Sequence, residues 1–348
     1  MKVAKLLLYP LAALYNLATQ FRNYLYDIGH KASFQFDVTV IAVGNLNVGG
    51  SGKTPMVEYL IQMLKKKHMI ATLSRGYKRE TEGYRLASPS DSARTIGDEP
   101  LQLFRKFGNE IKVVVGEDRV FAIPNILQAF PDTDVILLDD ALQHRSVKPR
   151  LTILVTEYSN PFYRDFVLPL GRLREARKGA SRSDIIVVTK CNDRLSVEEQ
   201  NEMTHAIQRY AGRKPIFFSR IQYGSPISFG GQRTLERNIM LVSGIAKVTS
   251  LMAFCFSNYE VLRHFNFPDH HRYSSHDLDV IENFCKRQSQ PFSIITTEKD
   301  MVKLIEPGLE QYIDRLPWFY IPIEHMFLED GLKFDELIFG SVTMPAKN

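Results

Sequence analysis

The sequence predicts an α/β protein: a mainly parallel sheet layered with helices, then a second, smaller α/β unit reached through a two-stranded β connector. Three observations carry this reading. From Val38 onward, short β-branched runs alternate with helical stretches, as in folds whose buried strands are covered by helices. A glycine-rich turn joins the first run to the first of those stretches. The chain has 348 residues, 44% apolar and 24% charged, which is enough for about two domains and argues against extensive disorder. Twenty Gly and 17 Pro exclude a collagen-like or linker-dominated chain. Lys plus Arg is 44 against 39 acids, a net charge of +5. This excess fits an anionic partner (phosphate, nucleic acid or an acidic membrane surface) without choosing among them. Cys191, Cys255 and Cys285 are odd in number and far apart, with no CxxC. They speak against a disulfide framework or a zinc site and for a reducing compartment.

Residues 1–35 form the first segment. Sixteen uncharged residues lie between Lys5 and Arg22, too few and too polar to span a bilayer, and no signal-peptide cleavage site follows. Leu7, Leu11, Leu14, Ala18, Phe21, Leu25 and Ile28 recur at steps of three and four, which marks one face of a helix. Lys2, Lys5, Arg22 and Lys31 flank it, with Tyr9, Tyr15, Tyr24 and Tyr26. Two readings stay open: a helix on an anionic membrane surface, or a helix packed on the domain behind it. Strands are expected at 38–43, 70–74, 111–116, 134–140, 151–157 and 184–190, with a helix over 55–67, which places a first domain at 36–213. Runs at 239–245 and 292–300 resume the pattern in a smaller unit, 236–315. The aromatic segments within 214–235 and 316–327 are expected to pair as the connector. Residues 328–348 are expected as a tail.

The turn after the first strand reads Asn47-Val48-Gly49-Gly50-Ser51-Gly52-Lys53-Thr54. It fits the P-loop pattern except that Asn47 replaces the leading Gly, and Asn tolerates the positive φ expected there. The fold is therefore expected to be P-loop NTPase-like. Gly49, Gly50 and Gly52 let backbone N–H groups turn toward phosphate oxygens, and the following helix, with Pro55 in its first turn, adds its positive end. Lys53 would reach the β- and γ-phosphates and the Thr54 hydroxyl would bind Mg²⁺. The nucleotide's metal also needs a carboxylate ending a buried strand. Asp139 and Asp140 supply it after four apolar residues, Asp139 one step back and Asp140 in contact with metal or nucleophile. Aspartates at a strand end also commonly cap the next helix. Guanine recognition is disfavoured, because residues 189–192 read TKCN and share only Lys190 with the Asn-Lys-x-Asp pattern.

Further motifs occur in order: VGNLNVGGSGKTP (43–55), LSRGY (73–77), GDEP (97–100), GEDR (116–119), LLDDALQH (137–144), LPLGRLRE (168–175), FPDHH (267–271) and TTEKD (296–300). Together they make the chain resemble the tetraacyldisaccharide 4′-kinases of lipid A biosynthesis in Gram-negative bacteria, from the N-terminal helix to about residue 330. The resemblance implies ATP- and Mg²⁺-dependent phosphorylation of the 4′-hydroxyl of a lipid A disaccharide 1-phosphate. It also implies two α/β domains and association with the anionic cytoplasmic face of the inner membrane. A monomer is expected and a nucleic-acid partner is not. The competing class is a nucleotide-hydrolysing switch or assembly factor with no lipid acceptor.

Read alone, Gly97-Asp98 is a turn capping a helix that begins at Pro100. By resemblance, Asp98 takes the hydroxyl proton and Glu99 helps at the metal. His270 belongs to a cluster holding four of the nine histidines, between 264 and 276. Its spacing is not that of a zinc helix, and by resemblance His270 pairs with Asp98. Arg75, Arg119, Gln143 and His144 are carried over as phosphate or substrate contacts. Residues 145–182 hold nine Lys or Arg, Arg172 and Arg174 among them, against three acids. This suits an anionic head group or the substrate's 1-phosphate, with a solvated charged face as the duller alternative. The sequence departs from the family pattern at Ala141, where Gly is expected, and at Arg172, where Pro is usual.

Overall fold

The computed structural model describes residues 2–343, with side chains of the first helix described from Leu8 onward. Leu7 of the expected helix face and the flanking Lys2 and Lys5 lie outside the described side chains, and 344–348 lie outside the described residues. The fold is α/β, as predicted, and holds two sheets. In the nine-stranded sheet, Thr39–Gly44 lies between Val135–Asp139 and Leu151–Glu157, all parallel. Beyond Val135–Asp139 come Ile70–Ser74, Lys112–Val115 and the short antiparallel Arg85–Leu86. Beyond Leu151–Glu157 come Ile185–Thr189, Ile216–Tyr223 and Ile323–Phe327. Val135–Asp139 is buried at every position, because helices cover both faces of a parallel sheet. The five-stranded sheet runs Glu260–Asn266, Asn238–Ser243, Ser293–Thr297, Trp318–Ile321 and Ile227–Ser228, with only the last antiparallel. Trp318, Leu278 and Ile281 lie in its core.

Of the two expectations for the segments outside the domains, only the tail needs correction. The aromatic segments do pair, from Tyr223 opposite Ile323 to Ser219 opposite Phe327. The ribbon is also stitched into the larger sheet, because Ile216–Tyr223 pairs with Ile185–Thr189. An isolated two-stranded ribbon is marginally stable in water, and joining the large sheet pairs its open edge. Farther along the same segments, Ile227–Ser228 and Trp318–Ile321 pair within the second sheet. The expected tail contains the helix Gly331–Thr343, which buries Phe334 and Ile338, one turn apart, in the core of the larger sheet.

The first helix, Lys2–Asp27, is fastened along one side by polar groups. Tyr15 Oη donates to Arg174 O at 2.8 Å and Arg22 Nη2 to Gln143 O at 2.5 Å. Asn23 Nδ2 donates to Glu175 Oε2 at 2.8 Å, and Arg145 Nη2 to Asp27 Oδ1 at 2.6 Å. Leu11, Leu14, Leu17, Phe21, Tyr24 and Ile28 are each more than half exposed. The packed-helix reading of this apolar face therefore fails. No described helix is long and apolar enough to cross a membrane.

One buried histidine makes a measurable demand on stability. His325, on Ile323–Phe327, is 5% exposed, and neither ring nitrogen has a hydrogen-bond partner. Burial pushes it down to about 4. The unfolded chain, near 6.5, then binds the extra proton between about pH 6.5 and 4, so stability falls as pH drops through that window, by roughly 3 kcal/mol at most. His325→Phe should remove this part of the slope. Urea midpoints at pH 7.5 and 5 for both proteins check it, and parallel pH dependence would refute it.

Candidate active site

The site lies at the carboxyl edge of the larger sheet. Val43 pairs with Asp139, so the turn after Thr39–Gly44 and the carboxylates after Val135–Asp139 emerge side by side. Gly44 allows this approach, since a Cβ there would stand 2.6 Å from Leu142 Cβ. The glycine loop leads into helix Lys53–Leu64, two residues earlier than the sequence suggested. Gly52, its N-cap, has φ +91, and an added Cβ would meet Thr189 Oγ1 at 3.2 Å. Thr189 Oγ1 donates to Ser51 O at 2.6 Å and Lys190 Nζ to Gly50 O at 2.6 Å. Lys190, the one residue shared with the guanine pattern, thus braces the loop. Asn47 is not among the positive-φ residues. Its Nδ2 donates to Asp165 Oδ2 at 2.9 Å, a side-chain role that glycine could not fill.

The two aspartates differ sharply. Asp140 is itself left-handed, at φ 53. Arg174 grips it through Nη1 at 2.9 Å and Nη2 at 2.6 Å, and Lys53 Nζ lies 3.6 Å away. Burial alone would raise its pKa, but Lys53 and Arg174 outweigh that and bring it down to about 2. Asp139 is buried, and its Oδ1 has no partner. Burial, reinforced by the charge of Glu99, raises it well above the carboxylate range. An orphaned buried carboxylate oxygen beside an ionised aspartate fits a divalent cation, and Mg²⁺ takes one or two carboxylates together with substrate phosphates. Among the described residues no three His, Cys, Asp or Glu side chains converge as a metal cage.

Asp98 opens helix Asp98–Phe107, with Gly97 as N-cap at φ 92 and no side-chain cap bond. A Cβ on Gly97 would stand 3.0 Å from Tyr77 O, so the segment after strand Ile70–Ser74 packs directly on this turn. The Asp98 carboxylate faces the smaller sheet instead, with Oδ2 2.9 Å from His270 Nδ1 and 4.0 Å from Lys303 Nζ. Burial opposes ionisation, yet His270, Lys303 and Lys299 hold its pKa below the usual range. His270 has φ 60, an uncommon conformation for a residue with a bulky side chain, and its ring packs edge-on to Tyr77. Lys299 Nζ lies 3.2 Å from His270 Nε2, 3.5 Å from Asp269 and 3.8 Å from Glu99. Sequence reasoning assigned no role to Lys299 or Lys303, although Lys299 stands in a quoted motif, 296–300.

Other expected contacts separate into free and engaged groups. Arg119 is 1% exposed and donates through Nη1 to Gly116 O at 2.7 Å, while its Nε and Nη2 have no partner. Burial, partly offset by Asp140, lowers it to about 10. Burial and then Arg119 push His144 down to about 4, so it is neutral near pH 7. Arg75 is exposed. Gln143 Nε2 donates to Asn45 O and Glu175 Oε1, both at 3.0 Å. Arg174, expected at a phosphate, is instead bound to Asp140 and Asn45. Arg172 is exposed; its carbonyl accepts from Val48 N at 2.8 Å and its N–H donates to Asp165 Oδ1 at 3.2 Å, a bond proline could not make. Ala141 is buried without positive φ, so glycine is not required there.

The sequence model of the family described as tetraacyldisaccharide-1-P 4′-kinase matches residues 4–342. A tetraacyldisaccharide 4′-kinase of Flavobacterium psychrophilum is 43% identical, over 98% of each chain. One from Flavobacterium johnsoniae is 41% identical over 96% of each. The structure of LpxK from Aquifex aeolicus in complex with ATP superposes with a TM-score of 0.74 at 28% identity, covering 97% of this chain and 99% of that one.

The brace under the glycine loop can be tested without any ligand. Thr189→Val keeps the shape and removes the donor to Ser51 O, so urea unfolding should show a loss of about 1–3 kcal/mol. Thr189→Ser should stay near the parent. Equal stability of all three would show that the bond contributes nothing.

Proposed function

The chain belongs to the tetraacyldisaccharide-1-P 4′-kinase family, and from that premise we propose that Asp98 is the base that deprotonates the acceptor hydroxyl, with His270 as its partner. The reaction is ATP-dependent phosphorylation of the 4′-hydroxyl of the tetraacylated disaccharide 1-phosphate, giving the bis-phosphorylated lipid A precursor. One observation carries the assignment: Asp98 and His270 meet at 2.9 Å beside the carboxyl edge that holds Lys53 and the glycine loop.

The tautomer follows from the neighbours. A charged lysine can only donate, so Nε2 accepts from Lys299 and the Nδ1 proton is left to point at Asp98. This orients one carboxylate oxygen and leaves the other for the hydroxyl proton. The backbone N–H groups of Gly49, Gly50 and Gly52 would cradle the phosphates, and Lys53 would neutralise the β- and γ-oxygens. Thr54, Asp139, Asp140 and Glu99 are the groups that would hold Mg²⁺, which supplies further charge neutralisation at those oxygens. Arg119, with two N–H sides unpartnered, suits an acceptor phosphate, with Arg75 and neutral His144 near enough to feel its charge, and Gln143 and exposed Arg172 are further candidate contacts. Arg174 acts indirectly, by holding Asp140 ionised.

The exposed row from Leu11 to Ile28 supports docking on an anionic bilayer, where acyl chains of the acceptor stay embedded. Use of ATP and three free, buried cysteines support the cytoplasmic face of the inner membrane.

Asp98→Ala and His270→Ala should each cut transfer of label from γ-labelled ATP to a tetraacyl disaccharide 1-phosphate by about 10²–10⁴-fold, and the double variant should lose little more than the worse single one. Additive losses would break the pairing, and label found only in free phosphate would break the kinase assignment. Separately, Leu14→Glu with Phe21→Glu should release the protein from phosphatidylglycerol-containing vesicles on sedimentation. Undiminished binding would refute the surface-helix reading.

A further inference from the structure

Away from the glycine loop, one ammonium group joins three helices that each carry part of the site. Asp98, Gln102 and Lys106 succeed one another at four-residue steps along helix Asp98–Phe107, so Lys106 lies about 12 Å along the axis from Asp98. Lys106 Nζ is 2.7 Å from Glu58 Oε2 and 3.2 Å from Glu298 Oε2. Glu58 belongs to helix Lys53–Leu64, which opens with Lys53 and Thr54. Glu298 opens helix Glu298–Leu304, which carries Lys299 and Lys303 to His270 and Asp98. Gln102 Nε2 donates to Glu58 Oε1 at 2.7 Å. Glu58 and Glu298 are both buried.

The surrounding seam is apolar. Leu101, Leu103 and Phe107 share a core cluster with Val302 of helix Glu298–Leu304, and Met301 packs against it. Two carboxylates on one lysine in such a place add little net stability, because desolvation cancels most of the Coulombic gain. What they do supply is direction: apolar side chains slide past one another at small cost, while a buried ammonium with two fixed acceptors tolerates only one helix register.

We propose that Lys106, with Glu58 and Glu298, is a positioning junction for phosphoryl transfer. It sets the helix bearing Asp98 against the helix bearing Lys299 and Lys303, and so holds His270 at hydrogen-bonding distance from Asp98. None of the three touches a reacting atom. The proposal rests on the reading of Asp98 and His270 as the base and its partner.

The full-length protein is assayed with ATP and tetraacyl disaccharide 1-phosphate, comparing Lys106→Met and the isosteric Glu298→Gln with the parent, each also in a His270→Ala background. Lys106→Met should lower kcat about tenfold to hundredfold, the scale of a misplaced reacting group, with KM for ATP nearly unchanged. In the His270→Ala background the same change should have almost no effect, and amide exchange at 268–271 should be faster in Lys106→Met. Unchanged kcat, an equal drop in both backgrounds, or a rise in KM for ATP alone would overturn the junction. If Lys106→Met does not fold, Glu298→Gln is judged by the same criteria. If His270→Ala itself leaves kcat intact, the base reading fails, and exchange at 268–271 then decides the junction alone: faster supports it and unchanged overturns it.

Discussion

Asp98 and His270 are 172 residues apart in sequence and 2.9 Å apart in space, and that one contact constrains much of the molecule. It requires two mainly parallel sheets to turn their carboxyl edges toward each other, since Asp139 ends a strand of one and the 268–271 turn follows a strand of the other. The helix between them, Glu298–Leu304, must serve both sides. Val302 packs in the core of the larger sheet and Leu304 in that of the smaller. Local backbone is bent to suit: Gly97 takes a conformation closed to other residues, and His270 sits left-handed at a cost of about 1–3 kcal/mol. The packed seam behind the contact holds that cost in place, because a packed interface has few alternative arrangements.

The same edge sorts its charges by environment. Asp139 and Asp140 are adjacent, yet one is driven toward the protonated form by burial and Glu99, while the other is held ionised by Lys53 and Arg174. Some of the groups left without partners lie here as well: Asp139 Oδ1, Gln143 Oε1, and Arg119 Nε and Nη2. Buried polar atoms are ordinarily satisfied, so orphans of both signs at this edge suit the proposed binding of phosphate oxygens and a cation.

What could be read from the sequence divides along a physical line. The glycine loop, Lys53, Thr54 and the paired aspartates are contiguous patterns whose chemistry and backbone needs are local, so residue order reveals them. Lys299 and Lys303 matter only because a second sheet brings their helix to Asp98, and no periodicity encodes that approach. Arg174 looked like a phosphate ligand because a basic stretch shows charge but not the acid it faces. Asn47 looked like a substitute for a left-handed glycine, whereas its amide is used on Asp165. The helix Gly331–Thr343 did have a signal, Phe334 and Ile338 one turn apart, but on a short final segment that pattern was read as a tail.

The polar side of the N-terminal helix bears on the same segment. Tyr15, Arg22 and Asn23 bond Arg174, Gln143 and Glu175. Arg174 in turn grips Asp140, and Glu175 also accepts from Arg182 at 2.7 Å. The outward apolar row and the ionised aspartate are therefore two ends of one rigid strut only a few residues deep. If the row rests on a bilayer, the strut fixes how far the phosphate edge stands from the head groups. An acceptor that keeps its acyl chains in lipid could then present its sugar to that edge without leaving the membrane. In this arrangement the basic stretch is structural first: its arginines hold the strut together, and its exposed members are the ones left to face anionic head groups.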